Sequence, residues 1–496
     1  MGRYIIGIDQ STQGTKALLV DEAGRLIRRA DRSHEQKVNE RGWVSHDPAE
    51  IAANVLAVAR EVVEAEGVDP ADIAGVGISN QRETTVAWNS RTGDPLCDAI
   101  VWQCSRAQDV CDAIAGIDGA AEIIRERTGL ALSPYYPAAK MAWIMKHVPA
   151  AAEAARAGEL CLGTVDAWVV WTLTHGAEFR CDYSNASRTQ LFDIEKLAWS
   201  TRACRLFGID PAWLPEVTDS DACFGATDLD GFLPAPVPIH GVLGDSHAAL
   251  FGQGCYGRGQ AKATLGTGSS VMMNIGGELK RSTCGLSSSL AWRMGGETTY
   301  VLEGNINYAG AVKTWLRDDM HLIEGPGEAT DLAYASNPAS RVYLVPAFTG
   351  LGAPHWESEA RAAVFGMTRT TGRAEFVRAA DESIAFQIFD VVDAMQRDSG
   401  IDLSELRVDG GPTRDPYLMQ FLCDMLLVPL VAAGNDEMSG LGAAWAAGIA
   451  LGLYPADVAH GCKPRASWDV QMAATDRAER IAGWRRAVRA TIAFAE

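Results

Sequence analysis

Residues 4–20 read YIIGIDQSTQGTKALLV. A short apolar run, Tyr4 to Ile8, has strand character. A polar turn follows, Asp9 to Lys16, and a second apolar run, Ala17 to Val20, ends at Asp21. Strand, turn, strand is a hairpin. Its turn gathers hydroxyls, backbone N–H groups, the Asp9 carboxylate and the Lys16 ammonium. Hydroxyls, amides and a cation bind phosphate oxygens, and a carboxylate can hold magnesium through water. The same pattern describes an ordinary hairpin at a sheet edge, so this stretch alone leaves both readings open.

The second half of the chain echoes it. Residues 259–276 read GQAKATLGTGSSVMMNIG. A short strand, Gln260 to Leu265, meets the hydroxyl-rich turn Gly266-Thr267-Gly268-Ser269-Ser270 before Val271 to Asn274 resume a strand. Two such hairpins suggest two similar halves facing one nucleotide. This resembles the ATPase fold shared by actin, the large heat-shock chaperones and sugar kinases. The resemblance implies an α/β, ribonuclease H-like architecture of two domains, with a hairpin from each gripping phosphates across an interdomain cleft.

The bulk numbers agree. A chain of 496 residues is too long for one ordinary core, and two large domains are the natural expectation. Hydrophobic content of 47% with 22% charged residues is that of a soluble globular protein. A net charge of −19 argues against nucleic acid and anionic membrane as partners. The 11 cysteines include no Cys-x-x-Cys pair, so neither a zinc ribbon nor a redox motif is present, and free thiols suit a reducing cytoplasm. Asp9 interrupts the N-terminus before a signal peptide could form, and no apolar run reaches the ~18 residues of a membrane span.

Along the first half, Leu26 to Ala30 is expected as a third strand. Asp47-Pro48-Ala49-Glu50 reads as a helix start, and the helix extends to about Glu66 with Ile51, Val55, Val58 and Val62 on one face. A strand from Ile73 ends at Asn80-Gln81-Arg82-Glu83, polar residues at a strand's carboxyl end, where α/β folds place ligands. Arg82 and Glu83 present a donor and an acceptor suited to vicinal hydroxyls, or else a surface ion pair. Trp102 is either core or the apolar wall of a small site, and Tyr135 stands in a proline-flanked loop.

Four segments carry a closer resemblance: residues 79–106, SNQRETTVAWNSRTGDPLCDAIVWQCSR; 163–192, GTVDAWVVWTLTHGAEFRCDYSNASRTQLF; 346–356, PAFTGLGAPHW; and 406–411, LRVDGG. In order and with few gaps, the chain resembles the FGGY carbohydrate kinases, and among them the glycerol kinases. That resemblance implies an activity and a set of site residues. The activity is transfer of the γ-phosphate of ATP to a terminal hydroxyl of glycerol or a related polyol. By the same resemblance Asp245, past the strand Ile239 to Leu243, is the catalytic base. Arg82, Glu83, Trp102, Tyr135 and Asp245 would hold the acceptor. Thr12, Gln13, Gly14, Lys16 and Thr267 would meet the phosphates, and Gly310, Gly411 and Asp415 would line the nucleotide site. Asp9 and Asp245 would position Mg2+, largely through water.

The expected domains are 1–238 and 239–496, divided after the proline-rich stretch Gly231 to Pro238. Ser439 to Gly452 is read as a helix of small residues that packs closely. His247 is read as packing or capping.

Departures from the glycerol kinase pattern fall in the acceptor pocket. Ser246 stands where Gln is usual and Ser270 where Phe is usual, so the pocket is expected to be larger and more polar. Ser11 replaces a usual Gly, Ser133 a usual Asp, and Asp415 a usual Asn. The segment 230–235 has no Arg, which argues against the sugar-bisphosphate regulation of bacterial relatives. The alternatives are a kinase for a tetritol, a pentitol or a ketose such as xylulose, and, from another class, a non-kinase actin-like ATP-binding protein. Oligomeric state, including a homo-oligomer, is not legible.

Overall fold

The structure, a computed structural model, describes residues 3–495. The opening runs form the strands Tyr4–Gln10 and Gly14–Val20, paired antiparallel with Asp9 opposite Lys16. Ser11 closes the turn, its N–H and its hydroxyl both donating to the Gly14 carbonyl, at 2.8 and 2.9 Å. Ser11 is not among the described residues with positive φ, so a side chain is accommodated there without left-handed strain. Leu26–Ser33 adds the third antiparallel strand. The helix Pro48–Glu66 starts where Asp47 accepts from the Ala49 N–H at 2.9 Å, and it buries Ile51, Val55, Val58 and Val62 as their spacing predicts.

On its other edge Tyr4–Gln10 pairs in parallel with Ile73–Asn80, which pairs in parallel with Val237–Gly244. Three strands therefore end side by side: Asp9 beside Ser79, Gln10 beside Asn80, and Asn80 beside Gly244. This is the polar end of a six-stranded sheet.

The expected domain break at 238 falls at the start of one of these strands. Val237–Gly244 is buried by joining the existing sheet rather than by founding a new one, and the mostly exposed residues 230–236 form a loop that feeds it. After Gly244 the helix Asp245–Gly252 leads to Gln260, where the second sheet begins.

The second sheet repeats the plan. Gln260–Leu265 and Ser269–Gly276 form an antiparallel hairpin, with Ala263 opposite Val271. Glu297–Ile306 and Ser287–Met294 extend it antiparallel on one side, while Glu405–Asp409 and Leu430–Ala432 add in parallel on the other. The expectation of two similar halves is met in topology: each sheet has a meander opening with a hydroxyl-tipped hairpin, whose first strand takes parallel neighbours. The long helix Arg373–Ser399 lies against the second sheet, with Val391 filling the space over Gly304.

The small-residue helix Met438–Ala450 returns to the first sheet. A Cβ at Gly77 would stand 2.3 Å from the Ala443 carbonyl oxygen, so glycine is required for this close approach. Among the described residues no helix is long and apolar enough to cross a membrane, and all 11 cysteines are free thiols.

Candidate active site

Where the three parallel strands end, Asn80 to Thr85 turn polar yet stay buried. A buried guanidinium needs its donors satisfied. Arg82 Nη1 and Nη2 donate to the two Glu303 carboxylate oxygens at 2.9 and 2.8 Å, and Nε lies 3.0 Å from Asp245 Oδ1 and 3.9 Å from Glu83 Oε1. Arg188 reinforces the cluster. Its Nε donates to Glu83 Oε1 at 2.8 Å, its Nη1 lies 2.8 Å from Glu303 Oε2, and its guanidinium stacks 5.2 Å above the Tyr136 ring. Ser270 Oγ donates to Glu303 Oε1 at 3.1 Å. Burial alone would raise the Glu303 carboxyl, but Arg188 and Arg82 outweigh it and hold that carboxyl far below the usual range. Glu303 belongs to the second sheet and Arg82 follows a strand of the first, so the cluster spans both lobes.

Asp245 is the first residue of the helix Asp245–Gly252, and its Oδ1 accepts from the Ser246 N–H at 2.5 Å. Its side chain is 37% exposed, against 5% for Arg82 and 1% for Glu303, so it is the carboxylate of the cluster that opens to the cleft. Burial pushes the Asp245 carboxyl up despite Arg82. Asp9 is more deeply set. Ser79 Oγ donates to its Oδ1 at 2.9 Å, and burial pushes it up to about 6 against the pull of Lys16. Asp245 is felt by Asp9 and in turn feels Lys262, a fully buried ammonium on the first strand of the second hairpin.

Trp102 is half-buried at the edge of the first lobe's core. Its indole Nε1 donates to Thr12 Oγ1 at 2.9 Å, and its ring meets Tyr135 edge to face at 5.6 Å. Ser133 does the turn-closing work itself, accepting the Tyr135 N–H at 3.2 Å, while the buried Lys140 ammonium donates to the Tyr135 carbonyl from below. Tyr135 and Glu303 border a cavity of about 670 Å³ between the lobes. Ser246 is half-buried beside Asp245, and Ser270 reaches Glu303 rather than open space. His247 is fully buried and neither ring nitrogen finds a hydrogen-bond partner, in line with a packing role.

Among the phosphate-loop candidates, Gln13 and Thr267 are exposed at the hairpin tips and Thr12 and Gly14 are half-exposed. The Gly266 and Thr267 carbonyls accept from the N–H groups of Gly310 and Ala309, tying the second tip to the start of the helix Gly310–Asp318. Lys16 departs from expectation: its Nζ pairs with Glu437 Oε2 at 2.7 Å instead of standing free at the loop. Gly310, Gly411 and Asp415 line a separate cavity of about 450 Å³. Gly410 at φ +94 carries the chain past the Leu265 carbonyl, and a Cβ at Gly411 would meet nothing, so the backbone there is bare to the cavity. Asp415 caps the helix Pro416–Leu426 through Tyr417 and Leu418 N–H and pairs with the buried Lys313, which also lies 2.9 Å from Asp381. Lys313 supplies the counter-charge that an Asp at this position needs.

The residues missed from the sequence are Glu303, Arg188, Lys262 and Lys313. Glu303 in YVLEGNI and Lys262 in QAKATL are lone charges inside apolar strands. That is the available signal, because a charge there must find a partner or a ligand.

Comparison with known proteins agrees with this geometry. Residues 4–252 match the N-terminal domain, and residues 261–451 the C-terminal domain, of the FGGY family of carbohydrate kinases. The chain is 44% identical over 494 residues to a glycerol kinase of Stenotrophomonas maltophilia, covering 99% of each, and 42% identical over 490 residues to glycerol kinase 1 of Thermotoga maritima, covering 98% of this chain and 99% of that one. A crystal structure of Plasmodium falciparum glycerol kinase with ADP superposes with a TM-score of 0.93 at 34% identity, over 99% of this chain and 98% of that one.

Proposed function

Because the chain belongs to the FGGY family of carbohydrate kinases, we propose that it transfers the γ-phosphate of ATP to a terminal hydroxyl of glycerol or a closely related polyol. One observation carries the reading most directly. A single carboxylate, Asp245, opens to the cleft from a cluster that joins both lobes through the Arg82–Glu303 pair.

Phosphoryl transfer asks the protein for alignment, charge neutralisation and exclusion of water more than for covalent chemistry. In this reading Asp245 takes the proton of the attacking hydroxyl. Arg82 and Glu83, fixed by Glu303 and Arg188, orient the acceptor's hydroxyls. Trp102 and Tyr135 form its apolar side. Thr12, Gln13, Gly14 and Thr267 offer hydroxyl and amide donors to the phosphates, and Lys16 joins them on release from Glu437. The cavity at Gly310, Gly411 and Asp415 takes the base and ribose. The first lobe of this clamp extends to Gly252 and includes the helix Met438–Ala450.

Asp9 and Asp245 fit a role toward Mg2+. Both are carboxylates that burial pushes toward protonation, the situation a bound cation relieves, and a hydrogen bond engages only one Asp9 oxygen. The cation, when present, neutralises phosphate charge. Placement in the cytoplasm accords with the free thiols and with the ATP requirement.

The test is transfer itself. Incubation with γ-labelled ATP and glycerol or a tetritol is expected to place label on the alcohol. Label released only as inorganic phosphate, at a rate indifferent to any alcohol, would favour the non-kinase ATP-binding alternative. A longer acceptor, such as a tetritol, pentitol or ketose, is a second reading favoured by the size of the cavity beside Glu303.

A further inference from the structure

We infer, resting on the kinase reading above, that His34 is a positioning residue of the first phosphate loop. Its imidazole draws the Thr12 carbonyl into the protein and so turns the Gln13 N–H outward, as a donor to a nucleotide phosphate.

His34 directly follows the strand Leu26–Ser33, whose last residue pairs with Gly14 beside the hairpin tip. Its ring is buried, and Nε2 lies 2.9 Å from the Thr12 carbonyl oxygen. Its backbone N–H donates to the Gln13 carbonyl at 3.3 Å. A carbonyl only accepts, so Nε2 carries the hydrogen and Nδ1 the lone pair. Nδ1 is buried without a partner. Burial holds the His34 pKa below its ordinary value, against the pull of the Thr12 carbonyl and of Glu50. The His46 ring packs against it edge to face, with the centroids 4.4 Å apart, and so restricts its rotation.

In a trans peptide the C=O of one residue and the N–H of the next point opposite ways. The Ser11 carbonyl accepts from the carboxamides of Gln10 and Gln81 at 2.9 and 3.3 Å, so the Thr12 N–H points away from them. The Thr12 carbonyl accepts from His34 and, at 3.3 Å, from Gln36. The Gln13 N–H therefore points away from the buried ring, and Gln13 itself is exposed. Among the described residues neither of these N–H groups donates to protein. Free consecutive N–H groups are what backbone anion sites are built from. Gln36 is exposed, which leaves His34 as the buried anchor of this peptide.

The experiment compares wild type, His34→Leu and His34→Gln as full chains. Leucine fills the site without a donor, whereas the glutamine carboxamide can still offer an N–H to the Thr12 carbonyl. Calorimetric titration with ATP and Mg2+, and steady-state kinetics with ATP and glycerol, read the two substrates separately. His34→Leu is expected to weaken ATP binding and raise KM for ATP by about tenfold, the worth of a buried carbonyl left without its donor, with KM for glycerol moving by less than about twofold. His34→Gln should recover most of the ATP affinity. Unchanged ATP affinity in His34→Leu, equal losses in both variants, or an equal rise in both KM values overturns the inference. Nitrogen-15 NMR of the wild-type histidines decides even where a variant does not fold. A neutral His34 protonated at Nε2 is expected, and the Nδ1-protonated tautomer overturns the inference. Turnover that answers to no polyol overturns the kinase reading instead, and the ATP titration then still decides the role of His34.

Discussion

Arg82 and Glu303 form a two-pronged ion pair between the lobes, with N···O distances of 2.9 and 2.8 Å. Both side chains are almost wholly buried, and Arg188 shares the same carboxylate. Breaking a buried pair by removing one charge leaves the other uncompensated. Glu303→Gln is therefore expected to destabilise the protein by about 3 kcal/mol or more, because two guanidiniums lose their anion. Urea unfolding of variant and wild type checks this. An unchanged midpoint would mean that water reaches the pair and screens it.

Trp102 links two functions that look separate in sequence. Its ring faces Tyr135 while its N–H holds Thr12 at the hairpin tip. Trp102→Phe and Thr12→Val should each lower kcat/KM, and the double variant should lose less than the sum, with a coupling of ~1 kcal/mol. Additive losses would show that the 2.9 Å contact carries no energy in the working enzyme.

Asp9 gives a pH dependence whose sign is fixed. Burial raises its folded-state pKa from 3.8 to about 6. The folded protein therefore holds that proton more tightly than the unfolded chain does. The resulting stability is complete below about pH 4 and is lost as pH rises through about 6, at a cost of up to ~3 kcal/mol above it. Asp9→Asn stays neutral, so it should melt higher than wild type at pH 8 and show little advantage at pH 4. A variant no more stable at pH 8 would indicate that Lys16 already compensates the buried charge.

Much of this arrangement is legible in the chain because it is local. The two hairpins, the Asp47 cap and the small-residue helix at 438–450 follow from patterns a few residues long. The boundary expected at 238 meets a strand of the first sheet because an apolar run such as Val237–Gly244 does not reveal which sheet it joins. The partners of the site are hidden for the same reason. Lys16 meets Glu437 and Arg82 meets Glu303 only after the two sheets are built. Arg188 lies inside a segment that carries the family resemblance, yet its role depends on Glu83 and Glu303, far away in sequence.

Ser270 tests the acceptor wall from another side. Its hydroxyl donates to Glu303, so a bulky apolar residue there both fills space and removes that bond. Ser270→Phe is expected to shift preference toward glycerol, seen as a rise in the glycerol-to-tetritol ratio of kcat/KM. No shift would mean that position 270 does not face the acceptor.

The proposed mechanism gives Asp245 the central chemical role, and one variant addresses it directly. Asp245→Asn should lower polyol-dependent ADP release by at least about a hundredfold, the usual worth of a general base, while calorimetric titration with ATP shows binding little changed. Polyol-dependent turnover near the wild-type rate in that variant would contradict the assignment of Asp245 as the base.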